Sequence, residues 1–210
     1  MSDLHLEVLR PPQKELLSFF QRESEIIRPF YLAGGTALAL QLGHRESQDF
    51  DFFSQTQECE TVRSWLENLP RSVIRDADAQ TVHADIAGVK VSFIGGYKYP
   101  PVMPLIPAGS LPMAAITDIA LMKMLAITHR ATLRDYLDLA VILRDHCSLR
   151  TLMEKSTEKY GTAFNAMLSV RTMVHFDDLD EETPVLLDPS LAGSWKDILR
   201  KAVKEAAGAL

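Results

Sequence analysis

The sequence predicts an α+β fold: a mixed β-sheet with flanking helices over residues 1–108, followed by a C-terminal all-helical part over residues 109–210. Three observations lead there. The first half alternates short β-type runs with amphipathic segments, the mark of strands and helices sharing one core. The prolines Pro100, Pro101, Pro104, Pro107 and Pro112 fit neither a helix interior nor a central strand, so they mark a connection between two parts of the chain. Beyond them the pattern is helical to the end. At 210 residues the chain supports one core, or a core with a smaller lobe, since domains hold roughly 100–200 residues.

Taken in order, residues 11–28 open on Pro11-Pro12 and place Leu16, Leu17, Phe20, Ile26 and Ile27 at helical spacings, an amphipathic helix that ends before Pro29. Residues 30–33 form a short apolar run that reads as a buried strand, broken by Gly34-Gly35. From Thr36, an expected N-cap, helix formers continue to Gly43, an expected C-cap. Residues 48–53 alternate acidic and aromatic side chains, the period-two signature of a strand with one polar and one apolar face. A helix follows over 58–69, and runs rich in Val, Ile and Phe over 72–76, 80–86 and 89–94 read as further strands. Thr117-Asp118 caps a helix carrying Ile119, Met122, Leu125 and Ala126 on one face, and Thr132 caps a second with Tyr136, Leu139, Ile142 and Leu143. More helices fill 148–175, the acidic stretch 177–182 is a loop, and Ser194 starts a last helix through Ala207.

Composition narrows the classes. The 22 basic and 28 acidic side chains leave a net charge of -6, which argues against wholesale coating of nucleic acid but leaves room for a local basic patch. Cys59 and Cys147 lie far apart with no C-x-x-C neighbour, so they read as free thiols of a reducing compartment. The opening Met-Ser-Asp-Leu-His-Leu-Glu is charged from its third residue and holds no apolar stretch fit for a signal or a span. The expectation is a cytoplasmic protein with no membrane association.

Several residues are candidates for chemistry. Gly34-Gly35-Thr36, between a strand and a helix, lets backbone approach a phosphate where the helix N-terminus offers unpaired N–H groups, although many such turns use glycine for sterics alone. Asp49 and Asp51 are strand positions i and i+2 and project to one face, with Phe50 and Phe52 on the other. Two adjacent carboxylates repel unless a cation lies between them, and a hard divalent ion such as magnesium (Mg2+) is the usual one. Ser47 shares that side, and His44 and Arg45 bring positive charge nearby, each being more commonly a surface residue. Lys123 falls in an otherwise apolar segment, where a lysine must snorkel, pair or serve a site. Arg130, Arg134, Asp135 and Asp138 cluster at the start of the next helix, where carboxylates beside arginines often only complement the dipole.

In combination these blocks are more specific: Tyr31-Leu-Ala-Gly-Gly-Thr-Ala-Leu, Gly43-His-Arg-Glu-Ser-Gln-Asp-Phe-Asp-Phe-Phe, Asp118-Ile-Ala-Leu-Met-Lys and Arg134-Asp-Tyr-Leu-Asp-Leu. Their order over roughly residues 30–145 closely resembles the AbiEii/AbiGii toxin family of nucleotidyltransferases, in the DNA polymerase β-like superfamily. The resemblance implies a nucleotidyltransferase-type sheet over residues 1–108 with a helical domain over 109–210 completing the active site. It implies a nucleoside triphosphate (NTP) as substrate, with Gly34, Gly35 and Thr36 in the phosphate-binding turn, Ser47 beside the triphosphate and Arg45 among the nucleotide contacts. Asp49 and Asp51 would hold Mg2+, Lys123 would reach the phosphates, and Asp135 would be a second acidic site residue supported by Arg134 or Asp138. It further implies the toxin of a toxin–antitoxin or abortive-infection system, with a cognate antitoxin as partner. Some members transfer nucleotides to the 3′ end of transfer RNA, so an RNA, a tRNA among them, or a protein is the expected acceptor.

One departure stands out. The superfamily usually carries a third carboxylate on a later strand, and the matching run Val89-Lys-Val-Ser-Phe has Lys90 and Ser92 instead. Two alternatives stay open: an NTP-binding regulator without transfer activity, and a small-molecule, antibiotic-type nucleotidyltransferase, against which the missing acid speaks. Arg45, Lys90, Lys98, Lys123, Arg130 and Arg134 are either an acceptor groove or unrelated surface charges.

Overall fold

The structure, a computed structural model, describes residues 4–56, 58–130, 132–180 and 183–207. It has an α+β fold, and the chain divides into two compact units, Met1–Ala115 and Ile116–Leu210.

In the first unit, helices α1 (Pro11–Arg22) and α2 (Ser24–Ile27) precede strand β1 (Tyr31–Ala33), helix α3 (Gly34–Leu42), strand β2 (Phe50–Phe53), helix α4 (Cys59–Asn68) and strands β3 (Ser72–Ala77), β4 (Thr81–Ile86) and β5 (Val89–Ile94). The expected single helix over 11–28 is thus two, broken at Glu23, whose N–H still bonds the Phe19 carbonyl. The five strands form one mixed sheet in the order β1-β2-β5-β4-β3. β2 lies antiparallel to β1 and parallel to β5, while β4 is antiparallel to both β5 and β3.

One face of this sheet is the core. Phe50 and Phe52 of β2 and Phe93 of β5 are buried there, and Phe20 of α1 meets all three edge-on at 5.8, 4.8 and 6.4 Å between ring centres. Rings at these angles and spacings gain beyond the area they bury. Trp65 of α4 closes the cluster edge-on to Phe93 at 6.5 Å and stacks on Phe19.

The proline-rich segment is more than a connection. Ile106 and Met113 bridge to each other, and main-chain bonds from Leu32 N–H to the Pro112 carbonyl (2.9 Å) and from Ala114 N–H to the Leu32 carbonyl (2.8 Å) lay it along β1. Proline suits such an edge, where its missing N–H leaves no ladder bond unmade.

The second unit contains α5 (Ile116–Ala126), α6 (Leu133–Asp145), α7 (Leu149–Tyr160), α8 (Ala166–Met173) and α9 (Trp195–Ala207). α5 is apolar almost all round, so it is the buried helix, with α6 and α7 against it. Ser148 and Asn165 cap α7 and α8 by accepting bonds from the backbone N–H groups of Thr151 and Leu168. Of the expected acidic loop, residues 177–180 are irregular and 181–182 lie outside the described residues. Among the described residues no helix is long and apolar enough to cross a membrane.

Candidate functional site

The strand-to-helix turn sets the site in the first unit. α3 begins at Gly34 itself, with Ala33 as N-cap, so Thr36 lies inside the first turn instead of capping it. Gly34 adopts φ +66°, a conformation that costs other L-residues, and a Cβ there would come within 2.6 Å of Asp51 Oδ2. A Cβ on Gly35 would lie 2.6 Å from Arg45 Nη2. The two glycines therefore admit a carboxylate and a guanidinium against the first turn of α3.

The loop from Gly43 to Asp49 is tied to this turn by buried polar contacts. Gly43 takes φ +65° and ends α3 as a left-handed C-cap. Thr36 Oγ1 lies 2.7 Å from Ser47 Oγ and also donates to the Asp49 carbonyl. Gln13 Nε2 of α1 donates to the Ser47 carbonyl at 2.6 Å. Arg45, expected at the surface, is only 2% exposed, and its Nη1 donates to the Glu46 carbonyl at 2.9 Å. His44 is buried as well.

Asp49 precedes β2 and Asp51 lies within it, both half-buried on the face opposite Phe50 and Phe52. Ala33 of β1 and Ser92 of β5 are the register partners of Asp51 on either side. A cavity of about 280 Å³ opens beside Asp49, with Arg10, Gln13, Gln48 and Lys90 in its lining. Among the described residues no group of three or more His, Cys, Asp or Glu side chains could cage a metal ion. A pair of carboxylates is nevertheless the donor set that suits Mg2+, which usually takes one or two carboxylates and completes its shell with water and substrate phosphates. Asp49 and Asp51 fit an ion of that kind.

Lys123 and Asp135 belong to the second unit. Lys123 does not snorkel; it is 6% exposed and pairs with Asp135 Oδ1 at 2.6 Å and Asp138 Oδ2 at 2.7 Å. Asp135 also accepts from Arg130 Nε at 2.9 Å and Thr132 Oγ1 at 2.7 Å. Burial pushes its pKa up, but the charges of Lys123 and Arg130 and these hydrogen bonds outweigh that and hold it below the usual carboxylate value. A second buried pair joins Lys159 of α7 to Asp118 of α5 at 2.7 Å.

His83 belongs to none of the motifs that stand out in the sequence. On β4 its Nδ1 lies 3.1 Å from Ser92 Oγ, on the same face as Asp51. The available signal was the alternation of Thr81, His83 and Asp85 with buried Val82, Ala84 and Ile86, which places His83 on the polar face.

The family profile described as nucleotidyl transferase AbiEii toxin, type IV TA system, matches residues 19–207. An uncharacterized protein of Aquifex aeolicus (strain VF5) is 31% identical over 188 residues, spanning 86% of this chain and 89% of that protein. Among solved structures, MenT4, a nucleotidyltransferase toxin from Mycobacterium tuberculosis H37Rv, aligns with a TM-score of 0.60 at 15% identity over 90% of this chain and 83% of its own. JHP933 from Helicobacter pylori aligns with a TM-score of 0.51 at 18% identity over 93% and 92% of the two chains. These two share the fold. The profile match, running through both units, carries the assignment: the chain belongs to the AbiEii toxin family and is a nucleotidyltransferase.

Proposed function

We propose that the protein transfers a nucleotidyl group from an NTP, with Mg2+ held by Asp49 and Asp51, to an RNA acceptor such as the 3′ end of tRNA or to a protein, acting in the cytoplasm as a toxin restrained by a cognate antitoxin. The observation that carries this reading is the Asp51 carboxylate against the glycine start of α3, its Oδ2 in the space a Cβ on Gly34 would need, with Asp49 two residues earlier on the same face. A carboxylate so close to a helix N-terminus, with a second one two residues earlier, suits a ligand that brings both cation and phosphate.

In this reading the backbone of Gly34, Gly35 and Thr36 binds phosphate oxygens through preorganised donors, usually the largest electrostatic contribution to such a reaction. Ser47 and Arg45 hold the loop that carries Asp49 and add polar groups to the nucleotide side. Asp49 and Asp51 would hold Mg2+, which would supply charge neutralisation at the phosphates and a lowered pKa for the attacking hydroxyl. By the resemblance, Lys123 would contact phosphate and Asp135 would play a second acidic role. Positioning is the main contribution of the protein to in-line transfer at phosphorus.

The test is transfer of label from each α-labelled NTP, with Mg2+, to total bacterial RNA and to cell protein, comparing wild type with Asp49→Ala. Labelling of one pool by the wild type and its loss in Asp49→Ala is the expected result. Undiminished labelling by Asp49→Ala would overturn the assignment. Mg2+-dependent NTP binding without labelling of either pool would favour a regulator that binds NTP and transfers nothing, or a small-molecule acceptor.

A further inference from the structure

Four residues line up across the polar face of the sheet. Asp51 of β2 is the register partner of Ser92 of β5, Ser92 of His83 on β4, and His83 of Asp76 on β3. Register partners project to the same face, and neighbouring strands run about 4.8 Å apart, so Ser92 is one strand and His83 two strands from Asp51. Ser92 is half-buried and His83 exposed, and Ser92 Oγ lies 3.1 Å from His83 Nδ1. A hydroxyl within hydrogen-bond reach of an imidazole is the arrangement in which a weak acid can pass its proton on as it receives another. Among the described residues no carboxylate forms an ion pair with the ring, though Asp78 lies within electrostatic reach of it. Asp85, next on the face of β4, is engaged by Arg75 at 3.7 Å, and Lys90 lies opposite Asp85. Asp76 of β3 is the register partner of His83 on its other side.

We propose that Ser92 and His83 form a proton relay for the acceptor hydroxyl; this rests on the transfer reaction proposed above. As the acceptor oxygen bonds to the α-phosphorus, the bond from that phosphorus to the bridging oxygen of the β-phosphate breaks and pyrophosphate leaves. The acceptor's proton passes to Ser92 Oγ while the Ser92 proton passes to His83 Nδ1. The exposed imidazolium then releases a proton to water, and the pair returns to its starting state. Ser92 touches the reacting hydroxyl, whereas His83 acts through Ser92.

The experiment measures transfer from α-labelled NTP to the pool that the wild type labels, total bacterial RNA or cell protein, for His83→Ala, His83→Gln, Ser92→Ala and Ser92→Asp. The two His83 variants and Ser92→Ala should lower kcat about 100-fold, the size of a lost proton acceptor, with KM for NTP within about twofold of wild type. Calorimetric NTP affinity should be unchanged, added imidazole should restore part of the rate of His83→Ala, and Ser92→Asp should keep more activity than Ser92→Ala. Wild-type kcat in His83→Ala would overturn the relay. So would a loss that follows melting temperature and does not respond to imidazole, which would make the pair structural. Nucleotidyl mass found on Ser92 itself would overturn it too, making Ser92 the acceptor. Absence of Asp49-dependent transfer in the wild type removes the proposed function and the relay together, whereas wild-type transfer with an undiminished His83→Ala removes the relay alone.

Discussion

Replacing Lys123 by Met tests what the buried charges of the helical unit do. Met is nearly isosteric with the lysine stem, so the change removes a cation and leaves little cavity. Lys123 meets two carboxylates, at 2.6 and 2.7 Å, from Asp135 and Asp138, which are 1% and 0% exposed. Removing one partner from a buried ion pair costs roughly 3–5 kcal/mol, because a charge stays behind out of water. Asp135 keeps Arg130 and Thr132 as partners, so the lower end, about 3 kcal/mol, is expected. Urea unfolding followed by Trp195 fluorescence in a Trp65→Phe background reports this unit, since Trp65 and Trp195 are the two tryptophans of the chain and Trp195 packs edge-on to Tyr136 at 6.2 Å. The midpoint should fall with an unchanged slope. The triple change Lys123→Met, Asp135→Asn and Asp138→Asn should recover most of the loss, because neither buried carboxylate remains and Arg130, which loses its partner, is exposed to water. A Lys123→Met protein within about 1 kcal/mol of wild type would refute the reasoning. Lost transfer at unchanged stability would instead assign Lys123 to the chemistry alone.

Gly34→Ala and Gly88→Ala form a matched pair, with φ +66° and +85°, but a Cβ meets Asp51 Oδ2 at 2.6 Å in the first case and nothing within 4 Å in the second. Each should lose about 1–2 kcal/mol for the left-handed backbone, and Gly34→Ala roughly another 1–3 kcal/mol for the contact. Urea unfolding read by Trp65 in a Trp195→Phe background measures both, and equal losses would show that the approach of Asp51 costs nothing. Acid provides a further test. The pKa of Asp135 is lowered on folding, so its contribution to stability is fully present above its unfolded value, about 3.9, and is lost as pH falls through the lower folded value. The helical unit should weaken below about pH 4, and in Asp135→Asn that part of the slope should vanish.

The local grammar of the chain was legible where one short segment decides the outcome. The alternation through Phe50, Asp51 and Phe52 sorts the residues by face without knowledge of the partner strands, and Gly43 ends α3 because a left-handed residue was needed there. The features that were not legible depend on distant partners. Arg45 looks like a surface cation in sequence, yet it is buried because the loop carrying it folds under Gly35. Lys123 is pinned by carboxylates from the next helix, which meet it only after the two helices pack. Pairing of β2 with β1 on one edge and β5 on the other is a long-range choice, and it alone brings Ser92 beside Asp51. The proline segment had the composition of a connector, and its pairing with the edge of β1, beyond its own Ile106–Met113 bridge, depends on a strand far earlier in the chain.

β2 is four residues long and paired on both sides, with Phe50 and Phe52 in the aromatic cluster and Asp51 facing the other way. Because side chains alternate strictly along a strand, inserting or deleting one residue between Ser47 and Phe53 would exchange the two sets, burying carboxylate and exposing rings. This stretch should therefore tolerate substitution far better than a change of length. Strand register and the placing of the carboxylates are therefore one property of this stretch, not two.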